Sequence, residues 1–267
     1  KIIIDKKFNE RKNALIVDAI LGTGINRPVL GFTAEVINFL NSTLIPIISI
    51  DIPSGMLSDT KNNSTEGAII QSELTLSFQQ PKYSFLLSDN GKYCGEFIVL
   101  DIGLDREFIL EAESKNLYIE KYDVASLLKK RTKYSHKGTF GHALVIGGSK
   151  GKCGAAVLAG KACLKSGAGL VTIHSSACNT IILQTSIPEA MVSEDTNPHY
   201  VSELPDMRNF NAIGFGPGLG TSEISKEILK LLFQKYNGKM VIDADGINLL
   251  SDNKTLLAFL PPLTIIT

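Results

Sequence analysis

Two aspartates in this chain stand where short apolar runs end. Asp18 follows Ala14-Leu15-Ile16-Val17, and Asp51 follows Pro46–Ile50. Gly22-Thr23-Gly24-Ile25-Asn26-Arg27-Pro28 comes four residues after the first, and Ile52-Pro53-Ser54-Gly55 comes directly after the second. In open parallel sheets, ligands bind beyond the carboxyl ends of the strands, so polar residues at those ends carry the chemistry. Two carboxylates in one crevice need a cation, a sugar hydroxyl or a shared proton to relieve their repulsion. Either acid alone reads equally well as the cap of a turn; both together, each with its glycine turn, point to a ligand. The glycine amides suit a phosphate, with Arg27 as counter-charge. The dinucleotide fingerprint fails, because Arg27 stands where GxGxxG requires its third glycine.

The second half of the sequence repeats this arrangement. His142–Ile146 ends in Gly147-Gly148-Ser149, and the helix starting near Gly154-Ala155-Ala156 has small residues on its first turn, which admits a ligand or another backbone. This is not a P-loop: GxxxxGK[ST] would need a glycine at Ile146 and a hydroxyl at Cys153. Four glycines crowd Gly214-Phe215-Gly216-Pro217-Gly218-Leu219-Gly220, where a strand-to-helix turn needs one or two. The surplus predicts a ligand against the main chain at Gly218. Asp243 and Asp245 again put acids at the end of a β-branched run, and capping of the next helix is the plainer alternative to a ligand-facing role.

These residues are positioned by strands alternating with helices. Periodicity predicts strands at Ala14–Val17, Ile45–Ile50, Leu74–Phe78 and Phe97–Leu100, with a helix over Thr33–Asn41. Asp105–Lys133 reads as a connection with one or two short helices, Asp123 capping Val124–Lys130. Strands follow at His142–Ile146, Leu170–Ile173, Ala212–Phe215, Lys239–Ile242 and Leu263–Thr267. Helices are expected over Ala155–Ser166, Glu223–Tyr236 and Gly246–Leu250. The alternation implies βαβ crossovers and mostly parallel sheets, an α/β protein. The last run has no turn or cap after it, which predicts a segment of a longer protein.

The chain has 267 residues, 44% of them hydrophobic and 20% charged. That suggests about two domains and a globular protein. Its 27 basic and 27 acidic residues cancel, leaving no footprint for nucleic acid or an anionic membrane. Cys94, Cys153, Cys163 and Cys178 form no CxxC, and the four histidines form no HExxH, so reduced cytoplasmic thiols are expected rather than zinc. No run reaches the eighteen or so apolar residues of a membrane helix, and Lys1–Lys12 has no signal-peptide core.

Two stretches resemble known families. Val17-Asp18-Ala19-Ile20-Leu21-Gly22-Thr23-Gly24, Asp51-Ile52-Pro53-Ser54-Gly55, Pro81-Lys82, Gly95-Glu96 and Asp101-Ile102-Gly103 are similar, in order and spacing, to the second half of the NAD(P)H-hydrate epimerase domain. The resemblance implies a Rossmann-like three-layer portion over residues 1–112. Asp18 would be its catalytic acid and, with Ser54, a ligand of potassium. Gly22, Thr23, Gly24, Ile25, Asn26, Arg27 and Pro28 would hold the substrate's pyrophosphate, and Asp51 its ribose or nicotinamide end. The family's Asn-Asn-Gly-Gly-Asp loop would lie before Lys1.

The series HKG, GHALVIGGS, GAAVLAGKACLKSGAGLV, GFGPGLG and VIDADGINLL resembles the ribokinase-like NAD(P)H-hydrate dehydratase domain, expected over residues 113–267. That family implies ADP or ATP, with magnesium, and phosphorylation of the hydrate's ring hydroxyl. Ala155 and Gly218 would line the dinucleotide site, and His136, Lys137 and Gly138 its rim. The catalytic aspartate of the family's Gly-Thr-Gly-Asp loop would lie beyond Thr267. Together the halves imply nicotinamide-nucleotide repair: epimerisation of R- and S-NAD(P)H-hydrate, and dehydration of the S form. NAD(P)H-hydrate would be the small-molecule substrate of a cytoplasmic homo-oligomer, with no nucleic acid or membrane partner. The competing readings are a ribokinase-like small-molecule kinase and a non-catalytic nucleotide-binding protein.

Overall fold

Each half of the alternating pattern forms a parallel sheet of its own. The computed structural model describes residues 14–62, 66–128 and 130–267, in two compact units, Lys1–Leu127 and Leu128–Thr267. The first unit holds strands β1 (Ile16–Asp18), β2 (Ile47–Ile50), β3 (Leu74–Phe78) and β4 (Glu96–Leu100), parallel and in the order β1-β2-β3-β4. Helix α1 (Gly31–Asn41) crosses from β1 to β2. Its Ile37 is fully buried against Ile16, Ile47, Ala68 and Ile70. The short α2 (Gly91–Cys94) packs Tyr93 and Cys94 beside Ile52, Met56 and Phe85.

The two faces of this sheet are unlike. Ile16, Asp18, Ile47, Ser49, Thr75 and Ser77 alternate onto the buried face. Val17, Ile48, Ile50, Leu74, Leu76, Phe78, Ile98 and Leu100 lie on the other, as strand register requires. Val17 is 60% and Ile98 50% exposed. Among the described residues the packed clusters of this unit gather on the first face alone. The strand expected at Phe97–Leu100 begins one residue earlier, at Glu96.

Helices α3 (Arg106–Glu111) and α4 (Lys121–Leu127) connect onward and bury no residue. Asp123 does not cap a helix at Val124. The helix starts at Lys121, and the Asp123 carboxylate accepts from the Glu120 amide at 2.8 Å. The expected boundary at 112/113 falls between these two helices.

The second unit is doubly wound. Strands β5 (His142–Ile146), β6 (Leu170–Ser175), β7 (Met191–Glu194), β8 (Ala212–Phe215), β9 (Lys239–Ile242) and β10 (Thr264–Ile266) are all parallel, in the order β10-β9-β8-β5-β6-β7. Helices α5 (Cys153–Lys165) and α6 (Thr180–Ser186) bury Ala156 and Leu183 with Val145 and Ile173 on one face. Helices α7 (Glu223–Lys235) and α8 (Asp245–Asp252) bury Leu229, Leu232 and Leu249 with Leu144, Ile146 and Phe215 on the other. Strand β7 and helix α6 were not anticipated from the sequence. Strand order reverses between β5 and β8, and the crevice at their carboxyl ends is where such sheets take ligands.

Candidate functional site

At the carboxyl edge of the first sheet, β1 and β2 are adjacent, which brings Asp18 to Ser54. Asp18 is 1% exposed. Its Oδ1 accepts from the Ser54 hydroxyl at 2.6 Å and the Ile20 amide at 3.4 Å. Its Oδ2 accepts from the Ser49 hydroxyl and the Ser54 amide, both at 2.8 Å. Ser54 Oγ in turn accepts from the Leu21 amide at 2.8 Å, tying the glycine loop to the same point. Gly55 lets the chain pass, since at φ +91° a Cβ would strike the Ala68 carbonyl. The site is therefore a buried anion surrounded by neutral donors, with no cationic side chain paired to it among the described residues.

Gly22, Thr23, Gly24, Asn26, Arg27 and Pro28 are exposed and Ile25 half-buried. A Cβ at Gly22 or Gly24 would meet only open space. Arg27 makes no ion pair among the described residues. Asp51 stands at the end of β2 with φ +68°, and its Oδ1 takes the Phe78 amide at 3.0 Å and the Lys82 ammonium at 2.7 Å. Sequence reasoning passed over Lys82, whose only signal was its place in Pro81-Lys82.

In the second unit the glycine turns after β5 and β8 meet across the reversal of strand order. The Gly148 amide donates to the Pro217 carbonyl, and Ser149 donates to the Gly218 carbonyl from both its amide (2.7 Å) and its hydroxyl (3.0 Å). The Gly148 carbonyl accepts from Ser175, Ser176 and Asn179 side chains. Ala155 and Gly218 are brought together: a Cβ on Gly218 would lie 3.1 Å from that of Ala155 and 2.6 Å from the Lys152 carbonyl oxygen. Gly216, Gly218 and Gly220 all have positive φ, so the turn uses three of its four glycines for backbone geometry. Gly218 therefore meets the protein's own main chain. A valine there would strain the backbone, and turnover alone could not reveal a ligand at that position.

Asp243 and Asp245 do not cap α8, whose N-cap is Ala244. Asp243 accepts from the Ala244 amide, while Asp245 holds the Gly220 amide at 2.8 Å and lies 3.4 Å from the Lys152 ammonium. Burial works to raise the Asp245 carboxyl, but these donors outweigh it and hold it below its usual value. Asp245 thus ties the β8 turn to the start of α5. His136, Lys137 and Gly138 do not reach this crevice. They precede β5, with the Lys137 carbonyl against Gly169 ahead of β6, at the amino edge, opposite Ala155 and Gly218. Sequence reasoning also missed His174 and Asp195. His174 is 2% exposed, with Nε2 3.3 Å from Asp195 Oδ2, and lone histidines and acids gave no motif to find them.

No helix among the described residues is long and apolar enough to cross a membrane, and no three His, Cys, Asp or Glu side chains there gather as a metal cluster. All four cysteines are free.

Fold and sites together define an α/β protein of two parallel-sheet units, the second doubly wound. Residues 2–84 match the family of YjeF-related protein N-termini, and residues 143–267 match NAD(P)H-hydrate dehydratase. The bifunctional NAD(P)H-hydrate repair enzyme of Coxiella burnetii is 33% identical over 91% of this chain and 49% of its own length. That of Escherichia coli is 35% identical over 90% of this chain and 45% of its own. A ribokinase-like superfamily protein of Enterococcus faecalis is 28% identical, with a TM-score of 0.48 over 57% of this chain and 56% of that one. Over about 90% of its length the chain is similar to bifunctional NAD(P)H-hydrate repair enzymes, and it spans about half the length of the curated relatives it matches.

Proposed function

We propose that this chain serves nicotinamide-nucleotide repair. The first unit interconverts the R and S epimers of NAD(P)H-hydrate, and the second takes part in ADP- or ATP-dependent dehydration of the S epimer to NAD(P)H. We assign residues 1–112 to the first activity and 113–267 to the second. The observation that carries the reading is the crevice between β5 and β8, where Ala155 and Gly218 face each other beside an acid-anchored glycine turn.

In the first site, Asp18 and Ser54 would hold potassium, with Asp18 as the acid of the epimerase. Their oxygens suit a hard monovalent cation, and the buried Asp18 carboxyl has no cationic side chain paired to it among the described residues. Bound there, potassium would supply positive charge beside the substrate's phosphates. The exposed Gly22–Pro28 loop, whose Arg27 makes no ion pair among the described residues, would hold a pyrophosphate, and Asp51 would contact the ribose or nicotinamide end. In the second site, Ala155 and Gly218 would line the dinucleotide.

The dehydration follows from leaving-group chemistry. The nucleotide, with magnesium screening its phosphates, gives a phosphoryl group to the hydrate's ring hydroxyl. The ring C–O bond then breaks with its electron pair leaving on phosphate. Loss of a proton from the neighbouring carbon restores the ring double bond.

The test supplies purified epimers of NADH-hydrate to the protein with potassium, magnesium and either ATP or ADP, and follows dihydronicotinamide absorbance. Recovery from both epimers is expected. Recovery from S alone would remove the epimerase, and recovery from neither would sink the repair reading.

A further inference from the structure

Two strand ends of the first sheet carry non-glycine residues in the left-handed region: Asp51 after β2 at φ +68°, and Gln79 after β3 at φ +60°. Such a backbone is uncommon outside glycine and persists only where the surroundings over-determine it. Asp51 is held by its own amide, which donates to the Leu76 carbonyl at 2.8 Å, by the Phe78 amide on its Oδ1, and by Lys82. The ammonium lies 2.7 Å from Asp51 Oδ1, 3.2 Å from the Phe78 carbonyl and 3.4 Å from the Gln80 carbonyl. The two side chains are only 16% and 20% exposed. Phe78 and Gln80 flank Gln79, so one cation joins the end of β2 to the bend leaving β3.

An ammonium has three protons, and here each has an acceptor. Lys82 as placed has no proton left for a substrate. Asp51 differs: Oδ1 is occupied by Lys82 and the Phe78 amide, while Oδ2 makes no hydrogen bond or ion pair among the described residues. We propose that Lys82 is a positioning residue, locking the strained Asp51 through Oδ1 so that Oδ2 is left for the substrate. This rests on the epimerase reading of that sheet edge.

The test measures interconversion of R- and S-NADH-hydrate by the full chain, with a thermal melt for every variant. Lys82→Met is expected to lower kcat by about tenfold or more, as loss of orientation does, with KM changed by no more than about a factor of two. Lys82→Arg, whose guanidinium can still bond the carboxylate, should recover part of the loss. In an Asp51→Asn background, Lys82→Met should cost nothing further, because Lys82 acts through Asp51. Unchanged kcat in Lys82→Met would overturn the proposal, as would a loss that persists in full in the Asp51→Asn background. If Lys82→Met does not fold, Lys82→Arg with and without Asp51→Asn carries the same comparison. A wild-type chain that interconverts the epimers while Lys82→Met does so equally well overturns this proposal alone. A wild-type chain that neither binds nor interconverts them overturns the epimerase reading with it.

Discussion

Asp18 shows how much of a site one side chain can organise. Its two oxygens collect the β2 residue Ser49, both donors of Ser54 and the amide of Ile20. Asp18→Ala would strand buried donors that each cost about 1–3 kcal/mol unpaired, so a loss of about 2–4 kcal/mol of unfolding free energy is expected in denaturant titration. Asp18→Asn, which keeps one acceptor, should cost less; a neutral Asp18→Ala would show that the network is dispensable. Asp195 gives a pH signature to the second unit. Burial opposes its ionisation, but the Ser202 hydroxyl and the Asn197, Ser202 and Glu203 amides outweigh it and lower its pKa. A folded value below the unfolded one means that its contribution is full above about pH 4 and is lost as pH falls through the lower folded value. Melts across that range should show the gap between wild type and Asp195→Asn closing toward acid; a constant gap would assign no stability to the ionised form. Asp18 and Asp51 were legible because each stands at a strand end beside a glycine turn, and Ser54 through the family resemblance. Lys82 and His174 were not, because the acids they meet, Asp51 and Asp195, come from elements distant in sequence, and Asp195 stands in no motif.

At the scale of elements, the turn after β8 separates two demands on glycine. At Gly216, φ is +121° and a Cβ would collide with the Asp243 carbonyl; at Gly220, φ is +88° with nothing within 4 Å. Gly220→Ala should therefore cost about 1 kcal/mol, the conformational term alone, and Gly216→Ala at least about 3 kcal/mol, with strand β9 displaced. Equal losses in denaturant titration would mean that the β9 backbone yields freely. The alternation of strands and helices was legible here because fully buried parallel strands read as β-branched runs between glycine turns. Strand β7 was not: Met191-Val192-Ser193-Glu194 is short, half polar and on the sheet's edge, so neither periodicity nor composition marks it. The Asp123 cap failed for a local reason. A capping residue serves the amides after it, and Asp123 bonds the amide of Glu120 before it.

For the whole molecule, the alternation of strands and helices indicated two α/β halves, and the two parallel sheets bear this out with different solvation. The second unit covers both faces of its sheet with helices, as parallel sheets require. In the first, Val17, Ile48, Leu76 and Ile98 form part of a continuous apolar face. A patch of this kind binds hydrophobic dyes in the native state. Fluorescence of such a dye should fall in the Val17→Lys/Ile98→Lys variant while its melting temperature hardly moves; undiminished fluorescence would locate the patch elsewhere. The sheet also inverts the usual meaning of a substitution map. On most domains, replacing alcohols by aliphatics is mild and replacing aliphatics by charges is ruinous. Here Ser49 and Thr75 are the interior and Val17 and Ile98 the exterior, so a scan of this unit alone would find the hydroxyls intolerant and the valine and isoleucine permissive.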